Sequence, residues 1–300
     1  MSASAEHMPA SWKVWLLAAR PKTLFAGIAP VLAGAAMAAA DGAFHGLAAL
    51  CALFGAVFIQ IGTNYANDYF DFVKGTDTES RLGPLRVTQA GLATPAQMKT
   101  ATTIAFGLAT LAGGYLVYRG GWPIVVIGAL SILFGVLYTG GPYPLGYLGL
   151  GDVFVLVFFG PVAVGGTYYV QALTVTPAVL VAGLAPGLLS TAILTVNNLR
   201  DIEGDRAAGK KTPPARFGRG FARAEYIACV VLACVAVPAG LCVWTGGHWL
   251  ALAACLALIA AIPNVRAILR EEGPALNQTL AGTGKITLLY SVLFSAGWLL

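Results

Sequence analysis

The chain has 300 residues, of which 58% are hydrophobic and only 10% charged, with a formal net charge of +5. About a quarter of an ordinary soluble sequence is Asp, Glu, Lys or Arg, so this composition excludes a water-soluble domain and a disordered chain, and the mean hydropathy of +0.76 makes lipid the main solvent. The small, dispersed positive balance excludes a basic nucleic-acid-binding protein, and the five cysteines (Cys51, Cys229, Cys234, Cys242 and Cys255) sit singly in apolar runs as small hydrophobes, not as a disulfide framework.

Residues 1–20 read as a cytosolic, interfacial N-terminal segment. Within it Ser11–Arg20 places Trp12, Trp15, Leu16 and Ala19 on one side of a helix that Pro21 ends. A spanning helix needs roughly 20 apolar residues. That window predicts nine spans, at 23–40, 46–66, 100–118, 122–139, 153–172, 177–199, 226–245, 248–265 and 286–300. The first run is long and lacks a small-residue processing site, so no cleavable signal peptide is expected. The expectation is an all-α, polytopic integral membrane protein of nine transmembrane helices, with residues 1–300 forming a single transmembrane domain.

Charge orients the zigzag. Lys13, Arg20 and Lys22 precede the first span; Lys74, Arg81, Arg86 and Lys99 follow the second. Arg200, Arg206, Lys210, Lys211, Arg216, Arg219 and Arg223 follow the sixth; Arg266, Arg270 and Lys285 follow the eighth. Thus 17 of the 18 basic residues share one side and only Arg119 lies on the other. The positive-inside rule puts the N-terminus in the cytosol and, after nine crossings, the C-terminus outside.

The acids are also unevenly placed. Seven of the 13 fall in Asp68–Glu79 and Asp201–Asp205, at the cytosolic ends of the second and sixth spans. A carboxylate at the centre of a spanning helix costs about 2.5–3.5 kcal/mol on insertion scales. Asn64, Asn67, Asp68 and Asp71 fall at i, i+3, i+4 and i+7, and Asn197, Asp201 and Asp205 at i, i+4 and i+8; each set is one helical stripe. Either stripe alone would also suit a solvated helix end. Two matching stripes on one side describe paired oxygen clusters suited to Mg²⁺, an ion held by a few carboxylates together with substrate phosphates. Lys74, Arg81, Arg86, Arg200, Lys210 and Lys211 stand ready for the phosphate oxygens. His7, His45 and His248 lie away from both clusters, which argues against a transition metal.

The Asn67-Asp68-x-x-Asp71 and Asp201-x-x-x-Asp205 stripes on a nine-helix chain resemble the intramembrane aromatic prenyltransferases of the UbiA superfamily. ARPKTL, ANDYFDFVKGTDT, RLGPLRVTQAG, YTGGPYPLGYLGLGD and NNLRDIEGDRAAGK, in that order over about 18–226, resemble its naphthoate-prenylating branch. The last three helices match only in hydropathy. The superfamily's third acid, four positions after Asp71, is Gly75 here, and the acid stands at Asp77, a shift typical of that branch. Pro213-Pro214 replace the apolar residue that usually follows the Lys210-Lys211-Thr212 run.

The resemblance implies the UbiA-type bundle and a division of labour. Asp68 and Asp71, with Asp77, and Asp201 and Asp205 would be the catalytic, Mg²⁺-holding carboxylates. Asn67 and Asn197 would complete or orient the coordination, and Arg20, Lys74, Arg86, Arg200 and Lys210 would neutralise the leaving diphosphate. Tyr65, Tyr69, Phe70, Tyr138 and Tyr143 would offer ring faces to an allylic cation. The implied reaction is Mg²⁺-dependent polyprenyl transfer from polyprenyl diphosphate to 1,4-dihydroxy-2-naphthoate with loss of the carboxylate, a step of menaquinone synthesis. The implied setting is a bacterial inner membrane, with the lipid bilayer and no nucleic acid as partner and the active site toward the cytosol. Acceptor contacts, donor length and oligomeric state are not encoded in these patterns, so 4-hydroxybenzoate stays open as the acceptor.

Other readings explain less. Gly149-Leu-Gly-Asp152 and Pro274-Ala-Leu276 match elements of intramembrane aspartyl proteases, but Asp152 opens a span, the second element sits in a loop, and both stripes would go unused. Phosphatidyl-alcohol transferases open on a D-G-x-x-A-R pattern that is missing here. A cation-coupled transporter would carry its carboxylates near the bilayer midplane, on broken helices. Gly183-x-x-x-Gly187 reads as helix packing.

Overall fold

The structure is a computed structural model that describes residues 11–76, 82–83 and 85–300. Among these residues all regular structure is helical: α1 Ser11–Ala19, α2 Pro21–Ala40, α3 Gly46–Val73, α4 Pro95–Gly120, α5 Trp122–Leu137, α6 Gly151–Ala172, α7 Pro177–Arg200, α8 Pro213–Thr245, α9 Trp249–Arg270 and α10 Leu276–Leu299. Proline opens α2, α4, α7 and α8, where its missing N–H leaves no bond unmade. Thr94 and Gln97 form a reciprocal capping box at α4, and Thr176 caps α7.

Among the described residues, seven helices are long and apolar enough to cross a membrane. The other two expected spans differ. The fourth is α5, of only 16 residues, and the ninth begins earlier than hydropathy placed it, at Leu276. The early turns of α10 are polar in sequence yet buried: Thr279, Thr283 and Thr287 are 2%, 0% and 0% exposed. The Thr283 and Thr287 hydroxyls donate to the carbonyls four residues back, and Asn264 and Tyr226 close the remaining bonds. A helix packed inside the bundle can carry hydroxyls that a lipid-facing one would shed, and a hydropathy window passes over it.

α7 is the most buried of the apolar helices, with 72% of its apolar window inside the protein. It meets α6 through small residues: a Cβ on Gly183 would lie 2.8 Å from Pro161 Cα, so only glycine permits this approach. α6 is bent there at Gly160-Pro161. α1 lies against α3 and α4 through Val14 and Ala18, whereas Trp12 and Leu16 are exposed, as an interfacial helix requires.

Helices α2, α3, α4, α5 and α6 together enclose a cavity of about 600 Å³, lined largely by apolar residues. The α3 residues on its wall, Ala56, Gln60 and Thr63, belong to the stripe that continues through Asn67 to Asp71. Its other end-wall residues include Phe134, Tyr138, Phe154 and Phe158.

Candidate active site

The four α3 stripe residues are all buried: Asn64, Asn67, Asp68 and Asp71. Asn64 works as a structural tie, donating to Ala19 O at 2.9 Å and Thr23 Oγ1 at 3.1 Å, and so pins the α1–α2 corner to α3. Arg20 sits in that corner in the left-handed region (φ 52°), a conformation that surrounding contacts must hold for a non-glycine residue. Asn67 Oδ1 accepts from the Thr139 hydroxyl at 2.8 Å.

Asp68 receives the backbone N–H groups of Val87 and Thr88, one on each oxygen, both at 3.1 Å. This fixes the tight turn after Arg86, and Arg86 Nη2 in turn reaches Asp71 at 2.7 Å. Asp71 also accepts from the hydroxyls of Tyr147, at 3.0 Å, and Thr76. Lys74 donates to the carbonyls of Thr139 (2.6 Å) and Gly141 (3.1 Å) beyond the end of α5. Burial lowers the Lys74 pKa, against the opposing pull of Asp71. Asp77 and Arg81 lie outside the described residues.

The second window is not one continuous helix. α7 ends at Arg200, Asp201 is the hinge (φ −97°, ψ 12°), and a short turn Ile202–Ala207 follows. The spacing still works, because Asp201 N–H and Asp205 N–H reach back four residues to Asn197 O and Asp201 O. Arg200 is not a free phosphate ligand: it is 1% exposed and fully engaged. Its guanidinium donates to both oxygens of Asp201 (2.8 and 2.5 Å), to Asn197 Oδ1 (2.8 Å) and to Asn277 Oδ1 on α10 (2.9 Å). Asn277 then donates to Leu82 O, tying the post-α3 loop to α10. Asp205 meets Lys210 Nζ at 3.3 Å and Thr212 Oγ1 at 3.4 Å, and burial raises its pKa even with Lys210 beside it.

The connection from Tyr138 to Leu150 joins the windows. Lys211 N–H donates to Tyr147 O at 2.8 Å, while Tyr138 lies within electrostatic reach of both Asp71 and Asp205. Of the five rings expected near a cation, only Tyr138 lines the cavity. Tyr65 is turned onto α1, its hydroxyl bonding Trp15 O, and Tyr69 packs into the same cluster. Phe70 packs beside Gly140, and Tyr143 is 76% exposed. The cavity's aromatic wall is instead Phe134, Phe154 and Phe158, with Phe134–Phe154 centroids 4.7 Å apart. No spacing rule separates such residues from packing aromatics, so the sequence reading missed them, along with Tyr147, Thr76 and Thr139.

Among the described residues no three Asp, Glu, His or Cys side chains converge as a ready-made metal centre. The donor set nonetheless fits a hard cation. It offers carboxylate and amide oxygens in two groups, the kind of hard oxygen donors such a cation takes.

These features define a class: a multi-pass helical membrane protein with a polar site of paired carboxylates and cations, linked through Tyr138 to an apolar cavity. Residues 27–299 match the UbiA prenyltransferase family, and the chain belongs to it; it is an intramembrane aromatic prenyltransferase. It is 41% identical over 295 residues, 95% of this chain and 94% of the relative, to the 1,4-dihydroxy-2-naphthoate octaprenyltransferase of Escherichia coli strain K12. It is 46% identical over 217 residues, 72% and 74% of the two chains, to the enzyme of the same name from Mycobacterium tuberculosis. The fold is also that of a UbiA homolog from Archaeoglobus fulgidus solved with GPP and Mg²⁺, with a TM-score of 0.66 over 96% of this chain and all of that one, at 14% identity.

Proposed function

We propose that the chain transfers a polyprenyl group from polyprenyl diphosphate to 1,4-dihydroxy-2-naphthoate, with loss of the carboxylate, at a Mg²⁺-dependent site facing the cytosol. The observation that carries this reading is the pairing of charges. Asp71 is held by Arg86, Asp201 by Arg200 and Asp205 by Lys210, and Tyr138, on the wall of the apolar cavity, lies within electrostatic reach of Asp71 and Asp205. The names of the bacterial relatives support the donor and acceptor classes, and the Mg²⁺ in the archaeal homolog supports the metal.

A carboxylate–cation pair of this kind is a poor receptor for Mg²⁺ alone, which must displace a cation. It is equally poor for diphosphate alone, which must approach carboxylates. Both together let each partner exchange, the carboxylates turning to metal and Arg86 and Lys210 to phosphate oxygens. When bound, Mg²⁺ would take up negative charge on the diphosphate as the C–O bond breaks. Asp68, Asp71, Asp201 and Asp205 would hold it, with Asn67 and Asn197 oxygens. Arg86, Lys74 and Lys210 stabilise the leaving group as pre-placed positive charge, as oxyanion-type sites do. Arg200 keeps Asp201 and Asn197 aimed. The apolar cavity takes the isoprenoid chain, and its aromatic end wall shields the allylic cation from water.

The test is product formation by purified protein given a polyprenyl diphosphate and equimolar 1,4-dihydroxy-2-naphthoate and 4-hydroxybenzoate, with Mg²⁺ or with chelator. The expected result is a prenylated, decarboxylated naphthol product only, abolished by chelator. Prenyl-4-hydroxybenzoate as the main product would reassign the acceptor, and chelator-resistant turnover would remove the metal.

A further inference from the structure

Tyr147 stands where the two windows meet, and its side chain is not among the bonds that close the loop's backbone. The α5–α6 connection is already closed by its own backbone bonds, among them Gly146 N–H to Tyr138 O and Leu150 N–H to Leu145 O. The side chain instead reaches charged groups from both halves of the site. Lys74 Nζ lies 5.1 Å from the ring centroid and Lys210 Nζ 4.8 Å. The hydroxyl donates to Asp71 Oδ1 at 3.0 Å and shares a 2.9 Å bond with Thr76 Oγ1.

The backbone reinforces this placement. Tyr147 O accepts Lys211 N–H, and Gly149 (φ 79°) runs so close to Lys211 O that a Cβ could not be added there. The loop bearing Lys210 and the loop bearing Tyr147 are therefore in fixed register. Lys74 and Lys210 are like charges within electrostatic reach of each other. Asp205 and Asp71 offset part of that repulsion, and an aliphatic residue in place of the ring would add nothing to them. The face of a phenol ring attracts an ammonium group, an effect that strengthens with desolvation. One ring thus lies against both ammonium groups, while its hydroxyl donates to Asp71 Oδ1 and helps set the carboxylate plane.

We propose that Tyr147 is a positioning residue that couples the two halves of the diphosphate site, its ring holding Lys74 and Lys210 and its hydroxyl orienting Asp71. This assignment rests on the diphosphate reading above. It separates into two measurable parts, because Tyr147→Phe removes only the hydroxyl and Tyr147→Leu or Tyr147→Met removes the ring as well.

The test uses the full-length protein in detergent, titrated calorimetrically with inorganic diphosphate at saturating Mg²⁺, and with Mg²⁺ at fixed diphosphate. Thermal unfolding and gel-filtration profile serve as the check on folding, and whichever of the Leu and Met variants keeps the native profile is used. The ring-less variant is expected to weaken diphosphate binding about tenfold. Tyr147→Phe should restore diphosphate affinity to within about threefold of the wild type while raising the apparent Mg²⁺ dissociation constant severalfold. In turnover, the ring-less variant should raise KM for the donor while KM for the acceptor stays put. Diphosphate affinity within twofold of wild type in a natively folded ring-less variant would overturn the assignment and leave the diphosphate reading intact. A wild-type protein that binds no Mg²⁺–diphosphate would overturn the diphosphate reading and this assignment with it.

Discussion

At the scale of single residues, the site is held together by charges that neutralise one another before any substrate arrives. Arg200 is the strongest case. Its sequence position beside Asp201 and ahead of six other bases suggested a phosphate contact, yet its fork is spent on Asp201, Asn197 and Asn277. Removing one member of a buried ion pair leaves the other uncompensated and costs about 3–5 kcal/mol. Arg200→Met is therefore expected to lower the thermal unfolding temperature of the detergent-solubilised protein markedly. Asn277→Ala, which removes one hydrogen bond to a charged group, should cost only about 1.5–3 kcal/mol. Equal, small shifts from the two variants would show that Arg200 is not the keystone of the second window.

At the scale of helices, periodicity made the stripes legible because side chains at i, i+4 and i+7 share a face whatever the helix packs against. It located Asn64, Asn67, Asp68 and Asp71 correctly as one buried line. It could not see that Asn64 would serve the α1–α2 corner, nor that α7 would break at Asp201, since both depend on chain distant in sequence. The start of α10 was missed for a similar reason: its threonines are satisfied inside the bundle, and hydropathy counts them as if they faced lipid. The cavity wall was the least legible feature, because Phe134, Phe154 and Phe158 look like any aromatic in a span. Gly128 on α5 lines that cavity with open space where a Cβ would stand. Gly128→Phe should fill part of the chain-binding volume, raising KM for a long polyprenyl diphosphate about tenfold or more and leaving a five-carbon allylic donor nearly unaffected. Equal effects on both donors would place the isoprenoid chain elsewhere.

At the scale of the whole molecule, the scarcity of charge and its placement carry one meaning. Low charge content marks the membrane protein, and 17 of 18 bases on one side of the nine-span zigzag read from hydropathy predict its orientation. An impermeant maleimide added to intact cells should label Thr245→Cys, at the exposed C-terminal end of α8, and spare Lys99→Cys at the start of α4; the reverse pattern would invert the topology and move the site outside. The same asymmetry brings the two carboxylate windows to one end of the bundle, where Tyr138, Tyr147 and Lys211 join them. Their cooperation is the central claim, and it is tested most directly by prenyl transfer to 1,4-dihydroxy-2-naphthoate by purified wild type, Asp71→Ala and Asp201→Ala at saturating Mg²⁺. Loss of activity by at least about 100-fold in each variant is expected, since each removes a carboxylate from a different half of one charge-stabilising site. Undiminished product from either variant would contradict the two-window site.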